Sequence, residues 1–150
     1  MPDYPPLNTQ VIGQAESALG ALLEPLLASG NITFHQWLVL TVTAGSGGSI
    51  DRGQLVARIS GARKLDAAAV EAAIGELAAA GLVTAEGQVA LTDTGQGTYH
   101  RIRGAVEEIT AGLFDFPSED LAVAGRVLII VTARANALLA RQRTAGAPAR

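Results

Sequence analysis

The sequence contains no cysteine, and only 4% of its residues are aromatic. Without cysteine the chain can form neither disulfides nor cysteine-based zinc sites, and thiolate catalysis is excluded. It also lacks a P-loop, a G-x-G-x-x-G motif after a strand and an H-E-x-x-H motif. His35 and His100 have no acids at metal-ligand spacing, so no metal site is predicted. We therefore expect a protein that is not an enzyme and needs no cofactor.

Basic residues are missing from a long internal segment, although the net charge of the chain is only −3. Between Lys64 and Arg101 there are five acidic residues and no lysine or arginine, whereas the segment from Arg126 to Arg150 contains five arginines and no acid. Hydrophobic residues make up 49% of the 150 residues. An apolar surplus of this size predicts that part of the surface is buried in an oligomer.

Signals for export and for membrane insertion are also lacking. The first residues have neither the basic segment nor the apolar segment of a signal peptide. The longest apolar stretch, residues 121–133, is interrupted by Arg126 and is short for a bilayer core of about 30 Å. We expect a cytoplasmic protein that makes no membrane contact.

Apolar residues at helical spacing predict a long first helix over residues 8–29 and a second helix that begins after Thr33. Two more helices, with Asp51 and Asp66 as predicted N-caps, are separated by a turn at residues 60–62. The glycine-rich segment 45–48 is interpreted as a flexible loop between two helices.

Downstream of these helices, the pattern changes to two short strands around the turn Ala85-Glu86-Gly87, which predicts a β-hairpin. A fifth helix is predicted after Thr92, and a sixth with Ser118 as its N-cap. Short helix, turn, helix and hairpin together make a winged helix-turn-helix. We therefore predict a mainly α fold with a small β-hairpin wing.

The predicted winged helix-turn-helix lobe, about residues 33–100, is flanked by long apolar helices at about 8–29 and 105–141. We assign all of residues 1–150 to a single domain. Because so small a lobe cannot cover the apolar faces of both flanking segments, we interpret them as dimerisation helices and predict a homodimer.

Three local motifs support this architecture. Residues 33–40 (T-F-H-Q-W-L-V-L), 77–83 (L-A-A-A-G-L-V) and 91–95 (L-T-D-T-G) occur in this order. Together they resemble the MarR-type family of bacterial transcription regulators, over nearly the whole chain. The resemblance implies a homodimer, a recognition helix in the major groove of DNA and a wing at the minor groove. It also implies an effector cleft between the dimerisation helices and the DNA-binding lobe.

The predicted recognition helix departs from the family pattern, which usually places Arg, Ser and Thr on the exposed face. The matching positions here are Ala67, Ala68, Ala69, Glu71 and Ala72, and the wing tip carries no arginine. Alanine can touch a thymine methyl group but donates no hydrogen bond. Glu71 would face phosphates with the wrong sign unless it accepts from a cytosine amino group.

Four basic residues cluster around the third predicted helix and the following turn: Arg52, Arg58, Arg63 and Lys64. In a helix-turn-helix, this helix and turn cross the DNA backbone, so these side chains are candidates for phosphate contacts. The alternative is an ordinary solvated surface. If they do bind double-stranded DNA, the acidic residues nearby predict weak, salt-sensitive binding.

Two residues at the start of the second helix are candidates for a small aromatic ligand. Trp37 would line the cleft and His35 would lie near its mouth. The alternative is that Trp37 belongs to the core and His35 to the surface.

The leading hypothesis is a homodimeric transcription regulator, a repressor modulated by a small aromatic ligand. The rival hypothesis is a winged-helix protein that has lost sequence-specific DNA binding. It would act as a ligand-binding or protein-interaction module.

Overall fold

A computed structural model describes residues 3–146, which divide into two compact units. The first unit extends to Ile109, and the second begins at Thr110. The assignment of residues 1–150 to a single domain stays a prediction.

The first unit is mainly helical and carries a small antiparallel sheet. Its helices are α1 (Thr9–Ser29), α2 (Phe34–Gly45), α3 (Arg52–Arg63), α4 (Ala67–Ala79) and α5 (Asp93–Thr110), and its strands are β1 (Ser49–Asp51), β2 (Val83–Thr84) and β3 (Gln88–Leu91). The strands lie in the order β1-β3-β2. The predicted α fold with a hairpin wing is confirmed, and a third strand is added to it.

Strand β1 corrects the prediction that the glycine-rich segment joins two helices. Gly47 and Gly48 have φ values of 83° and 95°, a left-handed conformation that suits glycine. They turn the chain into β1, where Ile50 pairs with Val89. Both side chains are buried, so β1 fixes the base of the wing on the core.

The core of this unit lies between α2, α3, α4 and the sheet. Its fully buried large side chains include Leu40 of α2, Leu55 of α3, Ile74 and Leu77 of α4, and Val89 of β3. Because the buried residues of α4 lie on one side of the helix, its opposite side faces solvent and is accessible to other molecules.

The first of the three motifs forms a capping box at the start of α2. The backbone N–H of Gln36 donates to Thr33 Oγ1 at 3.2 Å, and Gln36 Oε1 accepts from the Thr33 N–H at 3.1 Å. The Gln36 amide also donates to Glu76 Oε2 at 2.7 Å. One glutamine therefore starts α2 and ties it to α4.

The second and third motifs meet where α4 passes into the wing and the wing passes into α5. Gly81 has a φ of 73° and lets the chain leave α4. Thr92 Oγ1 donates to the Gly81 carbonyl at 2.6 Å and accepts from the Gly95 N–H at 3.0 Å. The two ends of the wing are thus joined by one hydroxyl group.

Three further predicted helix caps can be compared with the structure. Asp51 caps α3, because its Oδ2 accepts from the Gln54 N–H at 3.0 Å. Asp66 is the N-cap residue of α4, as predicted, but its side chain makes no capping hydrogen bond. Ser118 is the first residue of the last helix rather than its cap, which is Pro117.

The second unit contains one helix, α6 (Ser118–Ala145), of 28 residues. None of its residues is buried, and its exposed apolar side chains include Leu128, Ile129, Ile130 and Leu138. Within the described part of the chain, α6 is the one helix with a length and composition sufficient to cross a membrane. The helix is therefore longer than the apolar stretch of residues 121–133 on which the sequence prediction was based. A single such helix is weak evidence for a membrane span.

Candidate functional site

Helices α3 and α4 form the helix-turn-helix of the first unit. The turn lies at residues 64–66, not at 60–62 as the glycine there suggested, and α3 continues to Arg63. Lys64 ends α3 with a φ of 56°, in the left-handed region. The turn was misplaced because lysine gives no sequence signal for this conformation, which glycine and asparagine favour.

The exposed surface of α4 is almost devoid of functional groups. Val70, Ala73, Ile74 and Leu77 face the core. The outward positions are small: Ala67, Ala68, Ala72, Gly75 and Ala79. Only Glu71 and Glu76 extend beyond a methyl group on this side of the helix. The exposed surface of α4 is therefore poor in hydrogen-bonding groups, as the sequence predicted.

Arg52 joins α3 to both α4 and the wing. Its Nη2 lies 2.5 Å from Glu71 Oε2, and its Nε donates to the same oxygen at 2.8 Å. Its Nη1 also donates to the carbonyl oxygen of Ala85, at 3.5 Å. No pattern in the sequence indicated this ion pair, because its partners are 19 residues apart.

The other three predicted phosphate ligands are exposed and make no ion pair with any residue in the range 3–146. Arg58 Nη1 donates to Ser46 Oγ at 3.3 Å. The Arg63 guanidinium lies 5.3 Å from the centroid of the Phe34 ring. Lys64 Nζ donates to the Gly61 carbonyl at 2.6 Å. These three cations lie in the second half of α3 and at its C-cap, and none of them is paired with an acid among residues 3–146.

The two predicted ligand residues lie on α2 and are both half-buried. The Trp37 ring stacks on Tyr99 of α5, with centroids 5.5 Å apart and planes inclined by 27°. The His35 ring lies 6.5 Å from Phe34. Trp37 also packs against the core cluster.

An apolar groove of about 730 Å³ lies between α1 and the start of α2. Its lining includes Leu23, Leu27, Ile32 and Phe34, with Glu16 and Glu24 among its polar members. Neither His35 nor Trp37 lines it. Phe34, the residue just before the two that the sequence singled out, faces this groove.

A second cavity, of about 570 Å³, was not foreseen from the sequence. It lies between the end of α2, the Gly47–Gly48 turn and α5, and Tyr99, His100 and Arg103 contribute to it. Arg103 donates to Glu107 at 2.9 Å and to Tyr99 at 2.7 Å, and these bonds raise the pKa of Arg103 above its usual value. The only available signal was the spacing of Tyr99 and Arg103, which places them on one face of a helix.

Comparison with known proteins identifies the fold. The sequence matches no family model and no curated protein. The structure is similar to ligand-free NadR, with a TM-score of 0.70 and 24% identity, over 86% of this chain and 99% of NadR. It is also similar to Sco5413, a MarR family transcriptional regulator from Streptomyces coelicolor, with a TM-score of 0.66 and 15% identity over 85% and 91% of the two chains.

A third similar structure is the reduced form of MarR from E. coli, with a TM-score of 0.61 and 22% identity, over 86% of this chain and 95% of MarR. The chain has the MarR-type winged-helix fold. NadR has also been solved in complex with 4-hydroxyphenylacetate, and that structure matches with a TM-score of 0.66 at 24% identity. In the MarR-type fold of this chain, α4 is the second helix of the helix-turn-helix and β2–β3 form the hairpin of the wing.

Proposed function

We propose that this chain is a cytoplasmic, DNA-binding transcription regulator that acts as a homodimer and represses its target genes. The observation that carries the proposal is the exposed face of α4 in a winged helix-turn-helix, together with the exposed cations of Arg58, Arg63 and Lys64 on α3 and the turn that follows it. In this motif the second helix enters the major groove while the first crosses the backbone. The similar structures include a transcriptional regulator, which supports a role in regulation rather than catalysis.

Phosphate contacts are expected to supply most of the binding energy. The three exposed cations attract phosphates without regard to sequence, whereas the alanines of α4 offer no hydrogen bonds to bases. Glu76 and Glu86 lie on α4 and in the wing and reduce the attraction, whereas the charge of Glu71 is paired with Arg52. Affinity for double-stranded DNA should therefore be modest and should fall steeply with salt.

The experiment titrates the full chain against duplex DNA that flanks its own gene and against a shuffled duplex of equal composition, at low and at physiological salt. We expect saturable binding at low salt and a modest preference for the flanking duplex. Absence of binding to both duplexes at low salt would contradict the proposal.

The homodimer is expected to form through α1 and α6 of two copies. On α1, Leu19 and Leu22 are 42% and 41% exposed, and α6 has no buried residue. The charges are complementary. Helix α1 carries Glu16 and Glu24 but no basic residue, whereas all the charged residues of α6 after Asp120 are arginines. A second copy thus supplies both the apolar surface and the opposite charge that each helix lacks.

Regulation is expected through a small aromatic ligand that binds beside α2. The groove next to Phe34 is apolar and large enough for such a molecule, and Trp37, which stacks on Tyr99 of α5, lies on the same helix as Phe34. NadR, whose structure this chain resembles, binds 4-hydroxyphenylacetate. We therefore retain His35 and Trp37 as candidates and add Phe34.

The second candidate function is a winged-helix module that binds a ligand or a protein but no specific DNA sequence. The observation that favours it is the pairing of Arg52 with Glu71, which withdraws one of four predicted phosphate ligands. Failure to bind DNA at low salt, together with dimerisation and ligand binding, would support this function over the first.

A further inference from the structure

Only one of the two carboxylate oxygens of Glu71 takes part in the ion pair with Arg52. Both short contacts from the guanidinium, at 2.8 Å from Nε and 2.5 Å from Nη2, end on Oε2. Glu71 Oε1 has no hydrogen-bond partner among residues 3–146. The side chain is 43% exposed, and it projects from the same face of α4 as the solvent-facing alanines. One acceptor oxygen is thus held in a fixed place and open to the outside.

The ion pair offsets the electrostatic repulsion between DNA phosphates and a glutamate on this surface. An unpaired carboxylate in the major groove is repelled by the phosphates on both sides. Paired with Arg52, it presents no net charge but keeps its acceptor. The additional bond from Arg52 to the Ala85 carbonyl anchors the guanidinium to the wing. Arg52 is therefore suited to position Glu71 rather than to bind a phosphate.

The small neighbours of Glu71 allow a close approach. Ala68, Ala72 and Gly75 are exposed and have nothing beyond a Cβ, so the backbone of α4 can lie deep in a groove. An acceptor-only group matches the N4 amino group of cytosine. Adenine also offers an amino group, but its N7 acceptor lies beside it and repels a carboxylate.

We infer that Glu71, positioned by Arg52, specifies a cytosine in each half-site of the target DNA. The inference rests on the proposed DNA binding and adds to it a base and the two residues that recognise it. Two copies of the chain would place one such cytosine in each half of a palindrome.

The experiment selects bound duplexes from a randomised pool with the full chain at low salt, and then measures affinities for single-base variants of the selected sequence. We expect a cytosine at one position of each half-site, preferred about fivefold or more over other bases. In the Glu71→Gln variant that preference should be lost and should move toward adenine, because glutamine pairs with adenine N6 and N7.

Glu76→Gln is the matched control, since it removes the same charge from the same helix. Glu76 accepts from Gln36 and is not placed at a base. The Glu76→Gln variant should have a higher affinity for all sequences alike and should leave the cytosine preference intact.

Arg52→Lys keeps the positive charge but cannot direct two N–H groups to Oε2. It should therefore weaken the cytosine preference without changing the salt dependence, and circular dichroism should show native helix content in every variant.

Two results would overturn the inference while leaving the proposed function in place. One is DNA binding with no selected position that responds to Glu71→Gln. The other is an equal rise in affinity for all sequences in Glu71→Gln and Glu76→Gln, which would make Glu71 a simple repulsive charge. If the wild-type chain binds no DNA at low salt, the proposed function and the inference both fail.

Discussion

Gly95 lies so close to Leu82 that a Cβ built on Gly95 would stand 1.8 Å from the Leu82 carbonyl oxygen. The contact holds the first turn of α5 against the segment that leaves α4. It explains why the motif at residues 91–95 ends in glycine. Any residue other than glycine at this position would require a shift of the backbone.

Gly95→Ala should therefore destabilise the first unit by about 3 kcal/mol, at the upper end of the usual cost of overpacking. Gly97→Ala is the matched control, because Gly97 is exposed on the same helix and nothing lies within 4 Å of its Cβ position. It should stabilise the chain by about 0.5–1 kcal/mol through helix propensity. Urea denaturation measures both, and equal midpoints for the two variants would show that the close contact is absent.

The two aspartates that precede α3 and α4 should differ in their contribution to stability. Asp51 accepts a capping hydrogen bond from Gln54, whereas Asp66 accepts none. Asp51→Ala should lower the free energy of unfolding by about 1 kcal/mol. Asp66→Ala should cost only about 0.3 kcal/mol, the loss of a charge near a helix N-terminus. Thermal denaturation of both variants tests this, and an equal loss would place a cap at both helices.

The motifs predicted much of the fold because each is a local device. The capping box of Thr33 and Gln36, the left-handed Gly81 and the bond from the Gly95 N–H to Thr92 all act within a few residues, so their sequence spacing reveals them. The apolar periodicity of α2 and α4 then predicted the core. Strand β1 was missed because it has three residues, and because α3, α4 and β2 separate it in sequence from its partner β3.

The candidate site was less predictable. The sequence located the four basic residues but not their partners. The Arg52–Glu71 ion pair depends on how α3 crosses α4, which no local pattern specifies. The groove beside Phe34 depends in the same way on how α1 packs against α2, and the sequence drew attention to Trp37 because tryptophan is rare in this chain.

The homodimer predicts a mass of twice 15.4 kDa by light scattering at micromolar concentration. A Leu19→Glu/Leu22→Glu variant should be monomeric, because it places two charges in the proposed interface without touching the core. Gln14→Glu adds a charge to an exposed polar position of the same helix and should remain dimeric. A monomeric wild-type chain would contradict the interface, and recovery of the chain only in a membrane fraction would assign α6 to the bilayer instead.

Ligand binding near α2 predicts a change in the fluorescence of Trp37, the single tryptophan. Hydroxylated phenylacetates and benzoates should quench it saturably. Phe34→Ala should weaken the effect about tenfold, because an aromatic wall of the apolar groove is lost. Thr132→Ala on α6 is the control and should bind as the wild type does. Absence of any response across a broad panel of aromatic acids would contradict the proposed ligand class.

The last prediction separates the roles of the four basic residues by salt dependence. Arg58, Arg63 and Lys64 provide six unpaired cations per dimer, so the slope of log K against log salt should lie at about −3 to −5. Arg63→Ala/Lys64→Ala should flatten the slope to about −1 to −2 and weaken all sequences alike. The control, Arg52→Ala/Glu71→Ala, removes a neutral pair and should leave the slope unchanged. If that control flattens the slope as much as the loss of one cation would, Arg52 leaves Glu71 on binding and contacts a phosphate. Its ion pair would then be a feature of the free protein alone.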